Sequence, residues 1–122
     1  MKGRRAKDYY HHQYGITEPH SDVVEAATKI APCTVLDLGC GQGRNSLYLH
    51  DRGFRVTAVD RNPKMLATLN HILEAEEIEG IEVHEYDINR AALREAYDLI
   101  ISTVVLMFVD ERAVPDIIRN IQ

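Results

Sequence analysis

The sequence predicts an α/β fold built on a doubly wound parallel sheet, and three observations carry that expectation. Short β-rich runs alternate with helix-period stretches along the 122 residues. A glycine-rich turn, Gly39-Cys40-Gly41-Gln42-Gly43, follows the first run. The next two runs close on aspartates, Asp60 and Asp87. Ligands of open parallel sheets bind beyond the carboxyl ends of the strands, so all three features fall on one rim.

The elements follow in order. A polar, aromatic-rich opening (Tyr9, Tyr10, His11, His12, Tyr14) makes residues 1–20 an expected polar lid within a single domain spanning 1–122. Ser21 reads as a helix N-cap, with Asp22 and Glu25 in the first turn at the positive end of the helix dipole. That helix should reach about residue 31, where Pro32 stops it. Residues 34–38 form an apolar run bounded by turn residues and read as a buried strand. A helix over 44–51 should end at Gly53, and residues 55–59 read as a second strand ending on Asp60.

Pro63 suits a first helical position. Met65, Leu66, Leu69, Ile72 and Leu73 then recur at three- and four-residue spacings, one apolar face of a helix reaching about residue 77. Ile81, Val83 and Tyr86 mark a third strand ending at Asp87, and residues 98–105 read as a fourth. A last helix should start near Asp110 or Glu111 and turn Val114, Ile117, Ile118 and Ile121 inward.

Composition excludes several classes. A chain 45% hydrophobic and 27% charged suits one globular core. A net charge of −5 argues against a nucleic-acid partner, and the only basic cluster, residues 2–7, reads as a solvated terminus. No apolar run approaches the ~18 residues of a membrane span. The basic N-terminus lacks the hydrophobic stretch of a signal peptide, so a cytoplasmic setting is expected. Cys33 and Cys40 flank the first strand and should stand roughly 20 Å apart, too far for a disulfide.

The glycines allow a sharp turn and a close backbone approach to a ligand, and the helix that follows should offer free N–H groups. Asp60 is placed to accept from a ribose diol. Asp87 is placed to accept from an adenine amino group, with Ile88 supplying backbone contacts. A dinucleotide site spaces its glycines G-x-G-x-x-G. Here the spacing is G-x-G-x-G, with Asp37 two residues before the first glycine and Asn45 where the third would fall. A carboxylate so near the turn repels pyrophosphate but suits an ammonium and a sulfonium. That chemistry favours S-adenosylmethionine over NAD.

Leu36-Asp37-Leu38-Gly39-Cys40-Gly41 resembles the first motif of class I methyltransferases. Two longer strings resemble the TehB tellurite-resistance methyltransferases, with His20-Ser21 upstream. They are Gly43-Arg44-Asn45-Ser46-Leu47-Tyr48-Leu49 and Ile101-Ser102-Thr103-Val104-Val105-Leu106-Met107-Phe108. The resemblance implies a Rossmann-like fold, of which this chain would carry about four of seven strands. It implies Asp37, Gly39 and Gly41 at the methionine part of the cofactor, Asp60 at the ribose, and Asp87 with Ile88 at the adenine. Main chain around Thr103 and Val104 would meet the amino-acid end, while Arg44 would either face the cofactor carboxylate or point outward. Cys40 and Asn45 in the turn and Arg61 beside Asp60 complete the expected set.

The implied reaction is methyl transfer to a soft oxyanion such as tellurite or selenite, which composition and spacing do not identify. Such an in-line displacement needs positioning and electrostatics rather than a covalent nucleophile, so no catalytic residue is singled out. The family's sheet order leaves the fourth strand without its neighbour. The expectation there is pairing of two chains through the apolar edge, or a fragment that binds cofactor poorly.

Competing readings are a metal site on His11, His12 and His20, against a polar lid, and Cys40 as a nucleophile, against a small residue fitted to a tight turn. At the level of function the alternatives are a cofactor-binding fragment without turnover and a nicotinamide-dependent oxidoreductase.

Overall fold

The computed structural model describes residues 5–85, 97–102, 105–108 and 118–120. Helix α1 spans Tyr9–Tyr14 and α2 spans Ser21–Lys29. Strand β1 (Thr34–Leu38), helix α3 (Arg44–Asp51), strand β2 (Arg55–Asp60), helix α4 (Pro63–Ala75) and strand β3 (Ile81–Glu85) then alternate. Strands β4 (Leu99–Ser102), β5 (Val105–Phe108) and β6 (Ile118–Asn120) follow. The sheet order is β3-β2-β1-β4-β5-β6. Its first four members run parallel, with Leu36 of β1 between Thr57 of β2 and Ile100 of β4. The chain winds outward from β1 through β2 to β3, then returns to β4 on the other side, so β1 lies at the topological switch point.

Alternation along β1 sorts its side chains. Val35 joins Leu47, Leu49, Leu69 and Ile72 in the main core beneath α3 and α4, while Leu36 faces the other way with Val59 and Ile100. Leu47, Leu69 and Ile72 are fully shielded, and burying each such side chain contributes roughly 1.5–3 kcal/mol. Met65, expected on the apolar face of α4, is exposed instead. It sits one residue off the stripe formed by Leu66, Leu69 and Ile72.

Three sequence expectations are corrected here. The N-cap of α2 is His20, whose Nδ1 accepts from the Asp22 N–H at 3.1 Å, and Ser21 is the first helical residue. The imidazole reaches an orphan donor as a serine hydroxyl would, a role propensity does not assign to histidine. The run read as one strand over 98–105 is β4 alone, and Val105 already belongs to β5, antiparallel and opposite Ser102. Continuous apolarity shows that a segment is buried but not where it reverses.

Finally, Ile118 lies in β6, opposite Met107 of β5, and not in a helix. Isoleucines at such spacing suit either state, and the pairing edge of β5 decides in favour of a strand. The remainder of that expected helix lies outside the described residues. With β5 in place, the edge of β4 is covered by its own chain rather than left open for a second copy.

Candidate cofactor site

The site is built where β1 ends. Gly39, Gly41 and Gly43 all take positive φ, at 72°, 58° and 93°. This lets the chain reverse between β1 and α3 within a few residues. The N–H groups of Gly39 and Cys40 both donate to the Val59 carbonyl, at 2.8 and 2.9 Å. The Gly41 N–H donates to Asp60 Oδ2 at 2.8 Å, and the Gly43 N–H to the Cys40 carbonyl at 3.0 Å. The turn is therefore laced to the end of β2 through the amides of Gly39, Cys40 and Gly41.

Two of the glycines differ in purpose. A Cβ built on Gly41 meets nothing within 4 Å, so the backbone there borders open space. One built on Gly43 would stand 2.4 Å from Leu69 Cδ1. Gly43 is needed for the packing of α3 on α4, whereas Gly41 leaves room for a ligand against the main chain.

Asp60 closes β2 half-buried, with Oδ2 on Gly41 and Oδ1 accepting from the Asn62 N–H at 2.8 Å. Asn62 caps α4 by accepting from the Lys64 N–H, ahead of Pro63 in the first turn. The carboxylate is thus fixed at the rim, beside the open face of Gly41. Arg61 is exposed next to it.

Asp37 is buried on the core side of β1 and accepts the Ser46 hydroxyl at 2.7 Å. Burial, together with the nearby Asp60, raises its carboxyl to about 6, against the opposing pull of Ser46 and Arg44. Arg44 donates to the Glu18 carbonyl at 3.2 Å, and Asn45 Oδ1 accepts the His20 N–H at 2.9 Å. Both residues tie residues 18–20 to the first turn of α3. Cys40 is buried, its Sγ 3.5 Å from the Gly41 carbonyl, and burial with the neighbouring Asp37 and Asp60 pushes its thiol far up. A thiol held protonated is a poor nucleophile and a well-fitted small residue.

The structure brings Asp37, Gly39, Cys40, Gly41, Arg44, Asn45, Asp60 and Arg61 to the carboxyl ends of β1 and β2. Asp87, Ile88, Thr103 and Val104 lie outside the described residues. Sequence reasoning missed Ser46, for which the only signal was a small hydroxyl residue in the first turn of the helix after the glycines. It also missed Asn62, although Asn62-Pro63 is a helix-start pattern.

The polar-lid expectation is corrected for Tyr9, Tyr10 and Tyr14. Tyr9 and Tyr14 donate to Glu76 Oε2 and Tyr10 donates to Asp51, while Arg5 bridges Glu76 and Asp51 at 2.6 and 3.6 Å. Asp51 ends α3 and Glu76 caps α4, and both helices run away from the glycine turn. Helix α1 therefore clasps the far ends of α3 and α4, and residues 18–20 return to the first turn of α3. His11, His12 and His20 diverge to the Ile16 carbonyl, Asp8 and the Asp22 N–H.

A glycine turn at the switch point, laced to an acid that closes the next strand, belongs to the Rossmann-like fold of the class I methyltransferases. Residues 3–122 match the family described as "Tellurite resistance protein TehB", and the chain belongs to that family. It is 51% identical over 118 residues to a "Probable S-adenosyl-L-methionine-dependent methyltransferase TehB" of Haemophilus influenzae strain 10810, covering 97% of this chain and 41% of that protein. A protein named "Hemagglutinin 1" from Eikenella corrodens is 44% identical over 115 residues, covering 94% of this chain and 38% of that one. The crystal structure of TehB from Haemophilus influenzae superposes with a TM-score of 0.71 at 51% identity, over 79% of this chain and 33% of that one. The chain thus spans about two fifths of the length of the curated relatives it matches.

Proposed function

We propose that the chain binds S-adenosylmethionine at the rim formed by the glycine turn and Asp60, and forms the cofactor half of a methyltransferase. The observation that carries this reading is the open face of Gly41 beside a carboxylate fixed on its own amide. Asp60 presents its remaining lone pairs to a ribose diol, and Asp37 supplies negative charge behind the turn for an ammonium. Expected contacts from Asp87 and Ile88 to adenine, and from Thr103 and Val104 to the amino-acid end, belong to the same reading. The cofactor supplies an activated methyl group on its sulfonium. This chain's residues bind and orient the group that carries it.

The family's description, tellurite resistance, and the relative's name, methyltransferase, support a soft oxyanion of the tellurite or selenite kind as acceptor in a resistance role, and a cytoplasmic setting belongs to the same reading. Among the described residues no helix is long and apolar enough to cross a membrane. A second reading, cofactor binding without turnover by this chain alone, is favoured by the 41% share of its relatives' length that it spans.

Calorimetry with S-adenosylmethionine and with NAD tests the cofactor. Binding of the first and not the second is expected, and the reverse would sink the assignment. Transfer of a radiolabelled methyl group to tellurite or selenite tests the acceptor. Tight cofactor binding with no label in product would leave only the second reading.

A further inference from the structure

Ser46 is fully buried and has no part in the cofactor contacts proposed above. Its hydroxyl donates to Asp37 Oδ2 at 2.7 Å, and its backbone N–H favours the same carboxylate. As the third residue of α3 it carries one of the N–H groups that a helix start leaves unpaired, where the dipole favours negative charge. The serine is therefore a two-point mount, joining the end of β1 to the start of α3. Asp37 itself is 3% exposed, so its orientation depends on what it is bonded to.

The groups around Asp37 act in opposite directions. Burial, the largest influence, disfavours its charge, as does Asp60 from the end of β2. Ser46 and the Arg44 guanidinium, both from α3, favour it. The Cys40 thiol of the turn is held protonated and adds no charge. Opposite Asp37 and Leu38, β4 contributes Ile101 and Ser102, neither of which titrates.

We propose that Ser46 is a positioning residue of the cofactor site, fixing the Asp37 carboxylate at the start of α3 and stabilising its charged form for the cofactor's ammonium. The proposal rests on the cofactor reading above. With the Asp37 carboxyl at about 6, the charged form leads by only about tenfold at pH 7, and loss of one hydrogen bond to that form brings charged and neutral acid about level there. Cofactor affinity then carries the protonation state of a buried residue.

The test pairs two readouts on the chain, Ser46→Ala and Asp37→Asn. One is the Asp37 carboxyl titration followed by ¹³C NMR without ligand. The other is calorimetric affinity for S-adenosylmethionine between about pH 5 and pH 9. In the unsubstituted chain both should break near the same pH. Ser46→Ala should move both breaks upward by about one pH unit, lose roughly twofold in affinity at pH 7 and roughly tenfold near pH 5, and recover most of it by pH ~8.

Asp37→Asn still accepts the Ser46 hydroxyl, so it preserves the packing, and it should bind weakly with no pH dependence. It decides the matter should Ser46→Ala not fold. An equal loss at every pH in Ser46→Ala, or a retained pH profile in Asp37→Asn, would overturn the proposal. No binding by the unsubstituted chain at any pH would overturn the cofactor reading itself, while the NMR titration would still report whether Ser46 governs the Asp37 charge.

Discussion

Leu69 fills the space that a side chain at residue 43 would need, its Cδ1 lying 2.4 Å from where a Cβ would stand. The fit joins the N-cap of α3 to the middle of α4, so the glycine turn at the rim is also a packing joint. Gly43→Ala meets this collision and an unfavourable φ of 93° together. Left-handed strain of about 1–2 kcal/mol and overpacking of about 1–3 kcal/mol predict a loss of roughly 2–5 kcal/mol in urea unfolding. Leu69→Ala in the same chain should restore part of it, so that the double variant is more stable than the sum of the single losses. Strict additivity would show that the contact is not felt.

Asp60 holds Gly41 and Asn62 and is read as the ribose acceptor, so its removal should register twice. Asp60→Ala is expected to weaken S-adenosylmethionine binding by ~1–3 kcal/mol and to lower the melting temperature without ligand. Calorimetry and thermal unfolding measure the two effects separately. Unchanged affinity would take Asp60 out of the site, whatever happened to stability.

Asp37 should cost stability for the sake of its charge. Its folded carboxyl lies at about 6 through burial, against an unfolded value near 3.9. Between these values the folded chain binds the proton more tightly, so stability falls as pH rises through that window and is level above it. Asp37→Asn removes the penalty and should stabilise the chain at neutral pH by about 1–3 kcal/mol, with no gain below pH ~4. Denaturant unfolding at several pH values checks the sign.

Glu76 shows the opposite behaviour. Burial works against its charge, but Tyr14, Tyr9 and Arg5 outweigh burial and hold its carboxyl below the usual range. Its stabilisation is therefore present above the unfolded value and lost as pH falls through the folded one. Glu76→Gln should cost about 1–3 kcal/mol at neutral pH, with the difference closing in acid. Cofactor affinity should stay unchanged, because Glu76 caps α4 at the end away from the glycine turn.

Local patterns carried much of the fold. The span of β1, the bounds of α3 and the start of α4 all follow from apolar runs, glycine and proline positions, and the acids at strand ends. The rim proposed for the cofactor was legible for the same reason, since the placement of Gly39, Gly41 and Asp60 is set by turn geometry and strand termination. Less legible was anything that depends on a distant partner. No pattern near Tyr9 and Tyr14 points to Glu76, more than sixty residues away, and so the tyrosines were expected in a polar lid rather than at the opposite end.

The glycine turn, the acid two residues before it and the acid closing β2 are properties of the chain's order, because φ freedom and strand ends are local. Tertiary structure decided how each is used. It spread the roles of the glycines, assigning Gly43 to Leu69 and leaving Gly41 open. It gave Asp37 a partner in Ser46, and it turned the apolar segment after β4 back as β5. Each of these outcomes is a competition between distant groups for one donor, one void or one strand edge. Such a competition is settled only when the whole core closes.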